Sequence, residues 1–316
     1  MYPLKIAPVF KKKIWGGRAL FNQLNKKLPD EGLYGESWEA SVHPNGMGVV
    51  LNGSFSGLLF ADLLADYGKE IIGERLWQKY NGQFPLLLKF LDINDKLSLQ
   101  VHPDNNYALK IGQSFGKAEC WYIISASPDA KVVMGIKEDI KFEYFAQQAV
   151  VQNFEGLFNE ILVKDGDLVV IPPGMIHGTL AGSLLIFEIQ QNSDLTYRIY
   201  DFDRLDNGIK RTLHYQESLE NINFSLRPNI CNFKNNKGQK ILLDWEYFLL
   251  SQLVISGSYF ISSIDVLRFY TSIEGTVSVS YNNNTFVLHK AEVLVLPAFC
   301  SIDIYGDALL FEILPY

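Results

Sequence analysis

The chain has 316 residues, of which 48% are hydrophobic and 13% aromatic, enough for two ordinary domains or one large one with a sizeable core. Its net charge of -7 argues against a nucleic-acid partner, which would favour a basic face. No apolar run reaches the roughly 18 residues of a membrane span, and the N-terminus lacks an apolar signal segment. Three widely spaced cysteines fit reduced thiols, so we expect a cytoplasmic protein.

Short alternating or apolar runs follow one another along the chain, and turn dipeptides such as Asn81-Gly82 and Asp165-Gly166 separate them. This pattern predicts a mainly β protein built as a sandwich or a barrel. Apolar residues recur at intervals of three and four only at about 56–80 and about 140–158, where we predict helices. Because these helices do not alternate regularly with strands, a doubly wound parallel sheet is not expected.

One segment of the chain is repeated. Residues 166–172 resemble residues 291–297, and the Leu-Ile-Phe-Glu-Ile run at 185–189 returns almost unchanged at 309–313. Two copies of one β unit are the economical explanation. We therefore predict an N-terminal domain over 1–205, with both helical additions, and a C-terminal domain over 206–316. When the copies are aligned, His177 matches Ile302, so we expect the second copy to lack metal ligands.

Two predicted strands carry the first candidate ligands. Residues 97–102 alternate between apolar and polar side chains, so Gln100 and His102 share the polar face of a strand. Residues 116–122 form another probable strand, on which Lys117, Glu119 and Trp121 share a face. Each strand can bury one face and offer ligand atoms on the other.

A third segment supplies a second imidazole. Pro173-Gly174 suits the middle of a type II turn, which would start a strand carrying His177. Two imidazoles, one carboxylate and one amide form a mixed set that suits Zn²⁺, and Mn²⁺, Fe²⁺ or Ni²⁺ would also fit. If one ion is bound, the side-chain tips of His102, Glu119 and His177 should lie within about 6 Å of one another. We assign structural roles to the other histidines, which are His43, His214 and His289.

Three cations stand inside runs that read as strands: Lys89, Lys117 and Arg198. An ammonium or guanidinium group in a strand of an acidic protein is costly to bury without a partner. Together they indicate an anionic ligand, for which a phosphate group is the natural candidate. The alternative is that each cation reaches solvent at a strand end or pairs with a carboxylate such as Asp92, Asp95 or Asp194.

Four motifs in order make the sequence familiar: Gln-Val-His-Pro at 100–103, Gly-Lys-Ala-Glu-Cys-Trp-Tyr at 116–122, Ile-Pro-Pro-Gly-Met-Ile-His at 171–177, and Gln-Asn-Ser-Asp-Leu-Thr-Tyr-Arg at 191–198. The chain resembles the type I mannose-6-phosphate isomerases, in particular their short bacterial form, from Glu36 to Arg204. The resemblance implies two cupin (jelly-roll) β-barrels with a few added α-helices. It also implies one zinc ion per chain, held by the residues that match Gln100, His102, Glu119 and His177.

The resemblance further implies a reaction and a pocket for it. Members of the family interconvert D-mannose 6-phosphate and D-fructose 6-phosphate by moving a proton between C2 and C1 through a cis-enediol. By this resemblance Arg198 and Lys117 are the catalytic candidates, and Lys89 and Asp194 bind the sugar phosphate. The identity of the base stays open. We expect a small-molecule sugar phosphate as the partner, no nucleic acid or membrane, and a monomer or weak homodimer.

Two other functions use the same residue types. A cupin oxygenase would load Fe²⁺ on such ligands but would not need the three cations, and an oxygen-consumption assay separates it from an isomerase. A sugar-binding or regulatory protein with a degenerate site would bind sugar phosphate without turnover. The first copy of the repeat keeps all the polar groups that the isomerisation needs, which favours the enzyme.

Overall fold

The structure is a computed structural model that describes residues 1–234 and 238–316. Its strands in chain order are β1 (Leu4–Lys5), β2 (Val9–Gly17), β3 (Tyr34–Glu39), β4 (Val42–His43), β5 (Gly46–Met47), β6 (Leu86–Ile93), β7 (Leu99–Val101), β8 (Glu119–Ala126), β9 (Lys131–Ile136), β10 (Phe158–Leu162), β11 (Asp167–Ile171), β12 (His177–Ala181), β13 (Leu184–Gln191), β14 (Tyr197–Tyr200), β15 (Leu205–Asp206), β16 (Ile209–Lys210), β17 (Ile230–Asn232), β18 (Lys240–Trp245), β19 (Phe248–Ile261), β20 (Arg268–Tyr281), β21 (Asn284–Leu288), β22 (Val293–Leu296) and β23 (Ile302–Pro315). Its α-helices are α1 (Ala19–Asn22), α2 (Phe60–Ile72), α3 (Glu74–Lys79), α4 (Asn105–Lys110), α5 (Phe142–Val150) and α6 (Tyr215–Asn221), and a 3₁₀-helix spans Gly53–Phe55.

Three antiparallel sheets contain most of these strands. Sheet I has the order β17-β11-β8-β13-β6-β3-β2, and sheet II has the order β10-β9-β12-β7-β14. Sheet III has the order β1-β22-β20-β23-β19-β18, with β21 on β20. The mainly β class with few helices is confirmed. Hydrogen bonding closes none of the three sheets into a complete ring among the described residues, so two closed barrels remain a prediction.

Sheet I is covered on both faces, and alternation along its strands decides what each face holds. In β8, Trp121 and Ile123 pack with residues of sheet II, whereas Cys120 and Tyr122 pack with residues of sheet III. Successive side chains of a strand point to opposite faces, so every second residue of β6, β8 and β13 faces sheet II. Burial on both faces explains why these strands are almost continuously apolar.

The helices lie largely where the periodicity predicts them. Helices α2 and α3 fall within 56–80, and α5 falls within 140–158. In α2 the buried residues recur three and four apart, and the helix ends at Gly73, whose φ of 90° is easily adopted by glycine. The short helices α4 and α6 have no clear periodic signal in the sequence. No helix in the described ranges is long and apolar enough to span a membrane.

Two edge strands cross the predicted domain boundary. Strand β1, near the N-terminus, pairs with β22 in sheet III, and β17, which lies after residue 205, pairs with β11 in sheet I. A single apolar cluster also joins sheets I and III, with Phe187 of one and Phe311 of the other in it. The boundary at 205/206 stays a prediction. Each predicted half contributes one strand to the sheet that is formed mainly by the other half.

Candidate metal centre and substrate pocket

Sheets I and II bring the predicted metal ligands together. Gln100 of β7 lies opposite His177 of β12 on one side and opposite Arg198 of β14 on the other. His102 follows directly after β7, and Glu119 begins β8 in the facing sheet. Each ligand therefore stands within a strand, at its end or directly after it, where the backbone of the sheet fixes its position.

A turn at Gly174 and a close backbone approach at Gly116 set the ligands in place. Met175 N–H donates to the carbonyl oxygen of Pro172 (3.0 Å) across the Pro173-Gly174 turn, and Gly174 has a φ of 87°, as a type II turn requires. Gly174 N–H also donates to the carbonyl oxygen of His102 (2.9 Å), which ties this turn to the other histidine segment. At Gly116 an added Cβ would lie 2.4 Å from the backbone carbonyl carbon of Asp104. Only glycine therefore lets this segment lie so close to the residues that follow His102.

The three strongest ligand candidates form a compact, fully buried cluster. His177 Nε2 lies 3.2 Å from Glu119 Oε1, and His102 Nε2 lies 3.4 Å from Glu119 Oε2. The ligand atoms of the three residues all lie within 4.8 Å of one another, which satisfies the limit of about 6 Å set by a shared ion. None of the three side chains is more than 1% exposed.

The unpartnered atoms of this cluster fit a bound cation. Both carboxylate oxygens of Glu119 and Nδ1 of His102 are buried and make no hydrogen bond among the described residues. The Lys117 ammonium offsets part of the carboxylate's charge from 2.9 Å, and a metal ion would satisfy the oxygens that accept no hydrogen bond. His177 Nδ1 donates to the carbonyl oxygen of Met175 (2.9 Å), which directs the lone pair of Nε2 towards Glu119. Gln100 Nε2 lies 3.3 Å from His177 Nε2, and a flip of the amide brings its oxygen there instead.

Charges in the cluster favour the protonation states that a metal needs. Burial alone would raise the pKa of Glu119, but Lys117 and His102 hold it well below its ordinary value. Burial and the charge of Lys117 lower the pKa of His102 to about 3, so its imidazole is neutral at pH 7. The Lys117 ammonium lies 2.9 Å from Glu119 Oε2 and 3.0 Å from His102 Nε2. A carboxylate and neutral imidazoles are the forms that coordinate zinc.

A pocket of about 240 Å³ lies directly against this cluster. Gln100 and Lys117 line it, and so do Lys89, Arg198 and Asp194. All three cations that the sequence singled out therefore face one cavity. Its other polar residues are Lys13, Glu36, Ser98, Glu188, Thr196, Arg211 and His214.

Lys89 is paired within the wall of the pocket. Its Nζ lies 3.1 Å from Glu188 Oε2, and Trp121 Nε1 donates to Glu188 Oε1 (3.0 Å). Burial would lower the pKa of Lys89, but Glu188 and then Glu36 raise it above its ordinary value. The expected carboxylate partner is thus present, although it is Glu188 rather than one of the aspartates considered from the sequence.

Arg198 and Asp194 differ in their hydrogen-bond and ion-pair partners. Arg198 Nε is buried without an acceptor, its Nη1 donates to the carbonyl oxygen of Thr212 (3.3 Å), and it has no salt bridge among the described residues. Asp194 accepts a hydrogen bond from Asn45 Nδ2 (2.9 Å). Burial raises the pKa of Asp194, but the charge of Lys89 outweighs this and holds it below the usual value. Arg198 is therefore the cation of this wall that lacks a counter-charge.

Comparison with known proteins places the chain in a family. Residues 3–118 match the model of the phosphomannose isomerase type I catalytic domain. The chain is 36% identical to the mannose-6-phosphate isomerase of Streptococcus mutans over 93% of this chain and 92% of that protein. The chain belongs to the type I mannose-6-phosphate isomerase family.

Solved structures of isomerases share the fold. The crystal structure of the mannose 6-phosphate isomerase from Bacillus subtilis is 32% identical, covers 99% of each chain and has a TM-score of 0.87. A mannose 6-phosphate isomerase solved with zinc and yttrium is only 14% identical but has a TM-score of 0.80 over the whole of both chains, which shows a common fold.

Five ionisable residues of the pocket in this member of the isomerase family were not predicted as site residues from the sequence. Lys13, Glu36 and Glu188 lie in β2, β3 and β13, respectively. Arg211 and His214 follow β16. Glu188 carried a usable signal, because it is a charged residue inside the apolar Leu-Ile-Phe-Glu-Ile run, as Lys89 is in its own strand. His214 was assigned a structural role, but the structure places it in the pocket wall.

Proposed function

We propose that this chain interconverts D-mannose 6-phosphate and D-fructose 6-phosphate by proton transfer between C2 and C1 through a cis-enediol. The observation that carries the proposal is a buried cluster of candidate metal ligands beside a pocket lined by Lys89, Lys117 and Arg198. The family membership supports the same reaction. We retain the cytoplasmic location and the monomer or weak homodimer as expectations within this proposal.

The row of residues on sheet II suggests how the substrate is oriented. His177, Gln100 and Arg198 lie on three adjacent strands, so the backbones of the outer two are about 10 Å apart. In an open-chain hexose 6-phosphate, the reacting C1 and C2 and the phosphate stand at opposite ends. We place C1 and C2 beside Glu119 and Lys117, and the phosphate beside Arg198, the cation without a counter-charge.

Proton transfer needs a group that can reach C1 and C2, and an environment that stabilises the negative charge of the enediolate. Lys117 lies in the pocket wall next to the metal ligands, and we propose it as the acid/base candidate. The Lys89–Glu188 pair lies on the same wall, where Lys89 can donate to a substrate hydroxyl while Glu188 keeps it in place. Asp194, held by Asn45, can accept from a sugar hydroxyl.

We propose zinc as the metal, one ion per chain, held by His102, Glu119, His177 and Gln100. When bound, a zinc ion would act as a Lewis acid towards the substrate oxygens at C1 and C2. The mixed nitrogen and oxygen donor set and the neutral imidazole of His102 support this choice. A structural relative solved with zinc agrees with it.

Metal removal tests the proposal. We expect dialysis against a strong chelator to abolish turnover of mannose 6-phosphate in a coupled assay, and stoichiometric Zn²⁺ to restore it, because the ligand cluster is otherwise left without its cation. Elemental analysis of the active protein should find one zinc per chain. Full activity in metal-free protein would contradict the site. Oxygen consumption with Fe²⁺ in place of isomerisation would favour a cupin oxygenase instead.

A further inference from the structure

The pocket wall beside Arg198 contains two side chains with no role so far, Arg211 and His214. The backbone N–H of His214 donates to the carbonyl oxygen of Arg198 (2.7 Å), and the N–H of Arg198 donates to His214 Nδ1 (3.2 Å). These two bonds hold the segment after β16 against β14. Arg211, three residues before His214, is thereby brought into the same wall.

The guanidinium group of Arg211 is held by hydrogen bonds along one edge only, among the residues that the structure describes. Its Nε donates to Asp201 Oδ2 (2.7 Å), and its Nη2 donates to Asp201 Oδ1. Asp201 is only 5% exposed and also accepts from Arg204 Nη2 (2.7 Å). Nη1 of Arg211 has no hydrogen-bond acceptor among the residues that the structure covers. A guanidinium group fixed in this way presents its remaining N–H groups in a defined direction.

The positive charge in this wall exceeds the negative charge. Asp201 pairs with both Arg204 and Arg211, and Arg204 also pairs with Asp95 (3.3 Å), so two carboxylates face Arg198, Arg204 and Arg211. Arg198 has no carboxylate within salt-bridge distance in the described parts of the chain, and its buried Nε lacks an acceptor. Burial and then the positive charge of Arg211 lower the pKa of Arg198, so the two guanidinium groups repel each other. An anion between them would relieve this repulsion.

His214 contributes a neutral donor. Because its Nδ1 accepts a hydrogen bond from the backbone of Arg198, its proton resides on Nε2. Burial and the charge of Arg198 lower the pKa of His214, so the ring is neutral at pH 7. An oxygen atom in the pocket can therefore accept from His214 Nε2 beside two guanidinium groups.

We propose that Arg211 and His214 complete, with Arg198, the subsite that binds the phosphate group of the substrate, and that Asp201 is the positioning residue for Arg211. This inference rests on the proposed function, because it assigns one end of the same pocket. It adds to Arg198 of sheet II two side chains from the segment that follows β16, a segment that belongs to neither of the sheets holding the candidate metal ligands.

Binding of inorganic phosphate tests the subsite without turnover. We would titrate the zinc-loaded protein with inorganic phosphate by calorimetry and compare wild type with Arg211→Gln and Arg211→Lys. Loss of hydrogen bonds to a charged group predicts about a tenfold or larger increase in Kd for Arg211→Gln, and a smaller one for Arg211→Lys. Lys210→Gln is the matched control, because Lys210 forms only an exposed salt bridge with Asp203 and should leave Kd unchanged.

Two further variants separate positioning from general damage. Asp201→Asn should weaken phosphate binding less than Arg211→Gln, and Asp201→Asn combined with Arg211→Gln should add little to Arg211→Gln alone. His214→Gln keeps an N–H donor near the place of Nε2, whereas His214→Ala removes it, so Kd should rise more for His214→Ala.

The kinetics with mannose 6-phosphate distinguish failure of this inference from failure of the proposed reaction. In the variants that weaken phosphate binding, we expect kcat/KM to fall by a similar factor, with unchanged zinc content. If the wild-type enzyme turns over mannose 6-phosphate but Arg211→Gln binds phosphate as tightly as wild type, the proposed subsite is wrong and the proposed reaction stands. Phosphate binding that depends on Arg211, in a zinc-loaded protein without isomerase activity, overturns the proposed reaction and supports the subsite.

Discussion

Sheets I and III follow the same strand order, but among the described residues it is sheet I that contributes a carboxylate, Glu119, to the candidate metal cluster. The order β11-β8-β13-β6-β3 in sheet I matches β22-β20-β23-β19-β18 in sheet III. Glu188 lies opposite Trp121 in sheet I, and Glu312 lies opposite Tyr270 in sheet III. In both sheets the aromatic side chain donates a hydrogen bond to the glutamate. The repeat found in the sequence is therefore also a repeat of strand pairing.

The decisive difference lies two residues before the aromatic side chain. Sheet I has Glu119 there, opposite Ile171, and sheet III has Arg268, opposite Leu296. Arg268 is 5% exposed, and its Nη1 lies 3.5 Å from Glu312 Oε1. Sheet III thus provides its own cation where sheet I has a carboxylate. With Ile302 in the place of His177, sheet III lacks this imidazole, whereas Glu119 of sheet I belongs to the cluster that could hold a metal ion.

Separating the two sheets should have the largest effect. Tyr122 of sheet I contacts Phe311 of sheet III, with ring centroids 4.7 Å apart, and the halves exchange edge strands. We expect residues 1–205 and 206–316, expressed separately, to show no cooperative unfolding by circular dichroism, because each exposes a large apolar face. Co-expression of both fragments is the control and should restore folding. Cooperative unfolding of the fragment 1–205 alone would contradict this prediction and support independent domains.

Glu119→Gln should have the next largest effect, because it removes the charge that distinguishes sheet I. The shape of the side chain is preserved, so the protein should fold, but zinc would lose its only anionic ligand. We expect loss of bound zinc and a decrease in kcat of more than about a thousandfold, since a metal supplies several kcal/mol of charge stabilisation. Elemental analysis and the coupled assay measure both effects. Stoichiometric zinc in the variant would remove Glu119 from the ligand set.

Alternation and turn chemistry explain why the approach of the candidate metal ligands to one another was predictable from the sequence. Gln100 and His102 share a face by their spacing, and Pro173-Gly174 marks the turn before His177. These are local signals. Arg211 and His214 lack such a signal, because their place in the pocket depends on hydrogen bonds to β14 and to Asp201 rather than on periodicity. Likewise, the exchange of β1 and β17 depends on pairing between strands that are distant in sequence, which no local pattern specifies.

Arg268→Met tests sheet III in the same way as Glu119→Gln tests sheet I. Removing the guanidinium group leaves Glu312 with Tyr270 as its remaining side-chain partner. We expect the free energy of unfolding to fall by about 3 kcal/mol in chemical denaturation, at the low end for a broken buried pair because Glu312 is partly exposed. Zinc content and kcat should not change. The double variant Arg268→Met with Glu312→Gln should recover part of the loss. An equally unstable double variant would show that Arg268 acts by its packing and its hydrogen bonds to the carbonyl oxygens of Ser262 and Cys300 rather than by its charge.

Asp201→Asn should lower the free energy of unfolding by the smallest amount. The pH dependence of this loss shows whether it comes from the charge of Asp201. Burial raises the pKa of Asp201, but its hydrogen bonds to Arg211 and Arg204 outweigh this and hold the pKa below its usual value. A carboxylate with a depressed pKa stabilises the fold fully above its unfolded pKa of about 3.9, and the stabilisation is lost as the pH falls through the lower folded value. In metal-free protein we therefore expect the free energy of unfolding, measured by urea denaturation, to be about 1–2 kcal/mol higher for wild type than for Asp201→Asn from pH 7 to pH 5. This difference should shrink as the pH falls below about 4. A difference that stays constant down to pH 3 would mean that Asp201 stabilises the loop by its shape and not by its charge, and Arg211 would then lose its electrostatic anchor in the phosphate subsite.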